Sequence, residues 1–133
     1  MRLTVITSSS WIVVAAIDDR GRCPVRDGLD LVMLSDRDAH AQLLALLGRI
    51  SLTGPPRDER RSRHLGDGVF ELKTPRGFRL IYFFGPRRTI VCSDLCRKPK
   101  PRELRQIARR AQDLRKAYIA ASDSGDIVVE IGG

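Results

Sequence analysis

The sequence VFELKTPRGFRLIYFF, residues 69–84, contains two strand-forming runs around a short turn. Residues 69–74 alternate apolar and polar side chains, which is typical of a strand with one buried face. Pro75, Arg76 and Gly77 have the composition of a turn. In residues 78–84, Arg79 is a charge inside an otherwise apolar strand. With residues 89–95 as a third strand, this region predicts an antiparallel β-meander.

Helical patterns flank the predicted meander on both sides. Pro24 suits the first turn of one helix, and residues 36–52 continue with apolar side chains at helical spacing. A third helix is predicted over about 102–121, and residues 11–17 form an apolar, β-branched strand. The predicted fold class is therefore α+β. An antiparallel meander sheet carries two N-terminal helices and one C-terminal helix, in the order β-α-α-β-β-β-α.

A chain of 133 residues has the length of one domain, so we predict a single domain over residues 1–133. Its core covers about residues 11–121, and residues 1–10 are an extension. Residues 57–64 are a polar connector, and residues 122–133 are an acidic tail in which 126–131 form either a last short strand or an ordered end.

Positive charge is concentrated in one part of the chain. The formal net charge is +8, whereas residues 57–121 alone hold 18 basic and 7 acidic residues, together with six of the seven aromatic residues. A basic segment interleaved with aromatic and strand-forming residues favours nucleic acid over a membrane surface as the partner.

Several other classes of protein are disfavoured by the sequence. The longest apolar run, residues 11–17, is far shorter than the roughly 20 residues of a membrane helix, and we interpret it as a strand rather than a targeting segment. Three cysteines are unsuited to a disulfide framework, which favours a cytoplasmic protein. Cys92, Cys96 and His64 lack a second ligand pair, so no metal is predicted. The sequence also lacks a glycine-rich phosphate-binding loop, and no other cofactor is predicted.

Cations projected from the meander can support RNA cleavage without a metal. The RNA 2′-OH attacks the adjacent phosphorus, a base and an acid move the protons, and fixed cations stabilise the added negative charge. We predict Arg79, Lys73, Arg97 and Lys98 as catalytic residues. Arg79 comes first because it is a charge inside an otherwise apolar strand, with an exposed residue on an outward face as the alternative. A planar guanidinium also fits a phosphorane better than an ammonium. Four further cations of the basic segment are predicted to bind RNA: Arg63, Arg76, Lys100 and Arg105.

Residues 64–73 and 77–84, HLGDGVFELK and GFRLIYFF, resemble the L-x-x-G-L-x-E-L-R and Y-R-I-x-Y signature of the RelE/HigB-like toxin superfamily. The resemblance is closest to its branch of phage-derived host-killing proteins. It extends upstream to residues 19–25 and downstream to Cys96-Arg97-Lys98 and the helix containing Glu103, and so covers about residues 11–120.

The resemblance implies the toxin of a type II toxin–antitoxin system. Such toxins cut messenger RNA, usually at the ribosome, and are neutralised by a cognate antitoxin with a helix-turn-helix DNA-binding domain. Arg79 would correspond to the arginine near the scissile phosphate, and Lys73 to the cation ending the preceding strand. Arg97 and Lys98 would take the place of the basic pair after the last strand.

Two further candidates and two departures accompany the resemblance. Glu71 matches a family glutamate, with pairing to a neighbouring cation favoured over a role as general base. His64 precedes the meander, where either a catalytic histidine or an exposed connector residue fits. Cys96 replaces a usual aromatic residue, and the acidic tail either folds over the site or pairs with a partner strand.

Two other functions remain open at this point. A ParE-like toxin would inhibit DNA gyrase as a protein ligand without chemistry. A non-catalytic nucleic-acid-binding module would use the same positive charge for binding alone.

Overall fold

The computed structural model describes residues 1–131 of the chain. Its strands in chain order are β1 (Arg2–Ser8), β2 (Ile12–Ile17), β3 (Ser62–Gly66), β4 (Val69–Lys73), β5 (Phe78–Gly85), β6 (Thr89–Arg97) and β7 (Val128–Glu130). Its helices are α1 (Pro24–Ser35), α2 (Arg37–Thr53) and α3 (Pro101–Ser124), and a single 3-10 turn (Pro75–Gly77) joins β4 to β5.

All seven of these strands belong to one mixed sheet, in the order β3-β4-β5-β6-β2-β1-β7. β3, β4, β5 and β6 pair antiparallel in sequence, and β1 pairs antiparallel with β2. The β2–β6 and β1–β7 pairs are parallel. The meander therefore forms one half of a larger sheet, and strands from both ends of the chain complete the other half.

The predicted fold class, an antiparallel meander in the order β-α-α-β-β-β-α, is wrong. The structure is a mixed α/β domain with a seven-stranded sheet and three helices among residues 1–131. Residues 1–10 are not an extension, because β1 lies inside the sheet and Leu3 is buried. β3 occupies the end of the predicted connector, where its polar sequence SRHLG suits the edge position of the strand.

Helices cover both faces of the sheet. α1 and α2 pack on one face in the largest apolar cluster, which includes Val25 from α1, Leu43 from α2, and Leu80 and Tyr82 from β5. α3 packs on the opposite face, where Ala111 joins a smaller cluster. Burying each large apolar side chain contributes roughly 1.5–3 kcal/mol, so both helical layers hold the sheet in place. We refer below to the α1/α2 face and the α3 face.

The acidic tail adds a strand, β7, to the edge of this domain's own sheet and does not fold over Arg79. β7 pairs with β1, and Arg2 Nη2 lies 2.6 Å from Glu130 Oε1. The N-terminal ammonium of Met1 donates to the Asp126 carbonyl at 2.6 Å. These contacts fix both ends of the described chain at the same edge of the sheet.

No helix within residues 1–131 is long and apolar enough to span a membrane.

Candidate functional site

Strands β4 and β5 place Lys73 and Arg79 side by side. The two residues are direct partners in the antiparallel register, so their side chains leave the same face of the sheet. This is the α3 face, because Ile81, two residues after Arg79 and therefore on the same side of the strand, packs with Ala111 of α3. Lys73 is exposed and Arg79 is half-buried. The pair of cations predicted from the meander is thus adjacent in the structure.

Glu71 is a buried carboxylate between two arginines on this face. Its side chain is only 2% exposed. Arg63 Nη2, from the partner position on β3, lies 3.1 Å from Glu71 Oε1, and Arg79 Nε lies 3.6 Å from Glu71 Oε2. The three side chains therefore form an ion-pair row that crosses β3, β4 and β5, which we call the Arg63–Glu71–Arg79 row.

The row is held by charge more than by hydrogen bonds. Glu71 Oε1 is buried without an aligned hydrogen bond, and 3.6 Å from Arg79 Nε to Oε2 exceeds hydrogen-bond length. Arg79 uses Nη1 to donate to the Phe78 carbonyl at 3.1 Å. A buried carboxylate with unused lone pairs beside a partly exposed guanidinium is an arrangement that functional sites often contain.

Asp94 is a residue of this face that the sequence analysis missed. It pairs with Ile81 across β5–β6, which places it on the α3 face two positions before Cys96, the partner of Arg79. Burial raises the pKa of Asp94, against a hydrogen bond from Ser93 and the charge of Arg110. The available signal was the one that singled out Arg79, a charge inside an apolar strand.

Cys96 lies directly opposite Arg79 in the β5–β6 register. Burial raises the pKa of its thiol to about 11, and the nearby charges of Asp94 and Glu71 add to the effect while Arg79 opposes it. The Cys96 thiol is therefore neutral at physiological pH. At this position it acts as a small apolar side chain next to the row.

The basic pair at the end of β6 is divided between two surroundings. Arg97 pairs with Phe78 and places its guanidinium carbon 5.7 Å from the centre of the Phe78 ring, on the α1/α2 face. The Lys98 side chain lies across Gly77, where an added Cβ would come within 2.5 Å of Lys98 Cε. The Lys98 amide also donates to the Gly77 carbonyl at 2.8 Å. Lys98 therefore lies beside the turn that leads to Arg79. Arg97 lies on the opposite face of the sheet from Arg79.

The four residues predicted to bind RNA are also placed differently from one another. Arg63 belongs to the row and, with Arg105, lines a shallow groove between β3 and the start of α3. Lys100 is exposed immediately before α3. Arg76 instead forms two 2.8 Å hydrogen bonds with the Asp36 carboxylate at the start of α2. Its guanidinium thus fastens the β4–β5 turn to that helix.

His64 lies on the opposite face from Arg79. It pairs with Phe70, and the two rings are 5.1 Å apart on the α1/α2 side. His64 Nε2 accepts a hydrogen bond from the Gly68 amide at 3.2 Å. The structure therefore separates His64 from the cations on the α3 face and places it beside an aromatic cavity.

Within the described residues 1–131, no three His, Cys, Asp or Glu side chains group together as ligands for a metal ion.

The fold and this face define a small basic α/β domain that presents fixed cations from a central hairpin. The chain belongs to the family described as phage derived protein Gp49-like (DUF891), whose model matches residues 30–118. The match spans the hairpin and every predicted site residue, but not β1, β2 or β7. No curated protein is a significant match to the chain. Membership of this phage-derived family is compatible with a toxin-like function.

Proposed function

We propose that this protein is the toxin of a type II toxin–antitoxin system and cleaves messenger RNA at the ribosome without a metal ion. The observation that carries the proposal is the adjacency of Lys73 and Arg79, with Arg79 held next to the buried Glu71. Membership of the Gp49-like family supports a toxin, and the sequence resemblance to RelE/HigB-like toxins supports RNA as its target.

The reaction is an internal transfer of the phosphodiester. The 2′-oxygen of the RNA loses its proton to a base and forms a bond to the adjacent phosphorus. The bond between phosphorus and the 5′-oxygen breaks, and an acid protonates that oxygen. The products are a 2′,3′-cyclic phosphate and a free 5′-hydroxyl. The RNA provides its own nucleophile, so the protein has to position the phosphate and stabilise its extra negative charge.

Arg79 and Lys73 have complementary roles in this proposal. Arg79 is fixed by Glu71 and by the Phe78 carbonyl, so its guanidinium is in place before the phosphate arrives. A preorganised cation stabilises a developing charge without reorganisation at the moment of reaction. Lys73 is exposed at the same face and provides a mobile second cation or a proton carrier.

The other residues of the site fall into two groups. Lys98 approaches the same turn as Arg79, so we assign it to the phosphate. Arg63, Lys100 and Arg105 lie near the start of α3 and would bind the flanking RNA backbone. Asp94 is the candidate proton donor, because its carboxyl is easier to keep protonated than an exposed one. We assign Arg97 to RNA binding outside the reacting phosphate, because it lies on the other face.

The same proposal specifies the setting and the partners. The toxin acts in the cytoplasm, where translated mRNA is available. Its cognate antitoxin carries a helix-turn-helix domain for operator DNA. The antitoxin neutralises the toxin by binding it.

Induced expression followed by primer extension on cellular mRNA tests this function. We expect new 5′ ends within translated sequences soon after induction of the wild-type protein, and none after induction of an Arg79→Ala variant of equal abundance. Arg20→Ala, which removes an exposed arginine from the turn before α1, is the matched control and should retain cleavage. Intact transcripts together with loss of DNA supercoiling would contradict the proposal and indicate a gyrase inhibitor.

A further inference from the structure

An aromatic cavity lies on the α1/α2 face, across the sheet from Arg79. It has a volume of about 360 Å³. Its walls include four aromatic side chains, one from the residue before β2, one from β4 and two from β5: Trp11, Phe70, Tyr82 and Phe84. Ligand cavities of a few hundred Å³ with aromatic walls and a few polar groups are typical small-molecule sites.

The walls of this cavity are fixed by contacts within the protein. Tyr82 Oη forms a buried hydrogen bond with Ser62 Oγ, so the edge strand β3 is tied to β5 at the base of the cavity. Trp11 packs directly on Gly54, where an added Cβ would come within 2.9 Å of the indole. Phe84 keeps 42% of its surface exposed, although the centre of its ring lies 6.2 Å from the centre of the Trp11 ring. The cavity is thus preformed and offers an open aromatic surface.

Polar groups at the cavity suit the edges of a nucleobase. His64 Nε2 accepts a hydrogen bond from the Gly68 amide, so the ring proton lies on Nδ1, which can donate. Glu59 also lines the cavity and can accept a hydrogen bond from an exocyclic amino group. An aromatic wall with one donor and one acceptor matches a heterocyclic base better than an aliphatic ligand.

A second hollow adjoins the first and is lined by arginines. Its volume is about 380 Å³, and Arg49, Arg57 and Arg61 contribute to its walls. The segment Thr53, Gly54, Pro55, Pro56 and Arg57 lines both hollows, so they share one boundary. Three arginines line a hollow that adjoins the aromatic cavity, so residues able to bind a phosphate lie next to residues able to bind a base.

We infer that these adjoining hollows bind one nucleotide, with its base in the aromatic cavity and its phosphate among Arg49, Arg57 and Arg61. Bases that carry an amino group, those of adenine, cytosine and guanine nucleotides, are favoured because Glu59 can accept their N–H. The inference rests on the proposed function in one respect: the nucleotide belongs to a single-stranded segment of the RNA substrate.

The position of β3 connects this nucleotide site to the cleavage face. β3 is an edge strand, with Arg63 directed to the Glu71 side and His64 to the aromatic cavity. A single RNA strand that crosses this edge would reach the row from the aromatic cavity. The cavity would then hold a nucleotide on one side of the cut and determine which base is tolerated there.

Trp11 is the only tryptophan of the chain, so its fluorescence reports on the cavity. Titration of the full-length protein with AMP should give saturable quenching, whereas inorganic phosphate alone should give none. Adenosine, which lacks the phosphate, should bind about tenfold more weakly, and UMP more weakly than CMP. A short single-stranded RNA should bind more tightly than AMP if the site serves an RNA strand, and equal affinity would assign it to free nucleotides.

Variants separate this inference from the proposed function. Arg57→Ala should weaken AMP binding about tenfold, and Phe84→Leu should reduce both affinity and quenching. Arg20→Ala is the matched control and should bind AMP as the wild type does. The absence of saturable quenching, or equal affinity in Arg57→Ala, would overturn the nucleotide site even if mRNA cleavage is observed. AMP binding without any mRNA cleavage would overturn the proposed function and leave the nucleotide site in place.

Discussion

Arg79 Nε lies 3.6 Å from Glu71 Oε2, although the two residues are diagonal neighbours and not direct partners in the β4–β5 pair. The contact is possible because both side chains project from the sheet on the α3 face. It holds the guanidinium at the position next to Lys73. The 3.6 Å distance leaves Nε–H available for a phosphate, together with the N–H groups that do not bind the Phe78 carbonyl. The site is therefore organised by a buried negative charge.

Replacing Arg79 by alanine should reduce RNA cleavage by about 10²–10³-fold, because a preorganised donor to the developing charge is lost. Arg79→Lys should recover only part of the rate, since an ammonium cannot provide the planar pair of donors. Both variants should remain folded by circular dichroism, and the rate is measured with purified protein on a ribosome-bound message. Full activity of a folded Arg79→Ala protein would show that another cation stabilises the phosphate.

Replacing Glu71 by glutamine separates stability from function. The amide avoids the cost of burying a charge, and the side chains of Arg63 and Arg79 remain 51% and 24% exposed and hydrated. The free energy of unfolding in urea should therefore change by less than about 1 kcal/mol. Cleavage should fall about tenfold, because Arg79 loses the charge that positions it.

Two outcomes would contradict this account of Glu71. Loss of several kcal/mol of stability would show that the carboxylate mainly holds the fold. Unchanged cleavage would show that the Phe78 carbonyl alone is enough to position Arg79.

The contact of Asp36 with Arg76 predicts a pH dependence of stability. A hydrogen bond from the Ala39 amide, followed by the Arg76 guanidinium, lowers the pKa of Asp36 below its ordinary value of 3.8. A carboxyl with a lowered pKa in the folded state stabilises it above the unfolded pKa. That contribution disappears as the pH falls through the folded value. Wild type should exceed Asp36→Asn in stability at pH 7, and the difference should vanish in strong acid.

The free energy of unfolding in urea is measured for the wild type and for Asp36→Asn from pH 7 down to strong acid. Asp38→Asn is the matched control, because Asp38 lies 3.7 Å from Arg76 and is 84% exposed, so its effect should be smaller at every pH. A difference between wild type and Asp36→Asn that persists in strong acid would show that the charge of Asp36 is not its source.

The cysteines should be slow to alkylate in the folded protein. Burial raises the pKa of Cys92 to about 12 and that of Cys96 to about 11, and it also raises the pKa of Cys23. A pKa of about 11 instead of 9.0 leaves roughly a hundredfold less reactive thiolate at pH 8. Mass spectrometry after iodoacetamide should show little modification before denaturation and three modified cysteines after it. Rapid labelling of Cys96 alone would show that the face beneath α3 opens.

The central hairpin and the three helices were predictable from sequence because their side chains follow a strict period. The alternation after Val69 and the apolar stripe of α2 follow the buried faces of these elements. Arg79 stands out because it is a charge within an otherwise apolar strand. The Lys73–Arg79 adjacency also follows from the turn between them. Local pattern is therefore sufficient where each element contacts the core with one regular face.

The rest of the fold depends on pairings between distant parts of the chain. β1 and β7 come from opposite ends, and a three-residue strand such as β7 has no periodicity of its own. β3 is polar because it is an edge strand, so its composition resembles a connector. The opposite placements of Arg97 and His64 required the register of β3 and β6, which local composition does not determine.

The chemical nature of the cut RNA ends tests the central claim most directly. A message on translating ribosomes is incubated with the purified protein, and the cut ends are analysed enzymatically. Attack by the 2′-oxygen at a site built from Arg79 and Lys73 predicts a 2′,3′-cyclic phosphate, a 5′-hydroxyl and no cut where a single 2′-deoxy nucleotide replaces the ribonucleotide. A 3′-hydroxyl with a 5′-phosphate, or cleavage of the deoxy-substituted message, would contradict it.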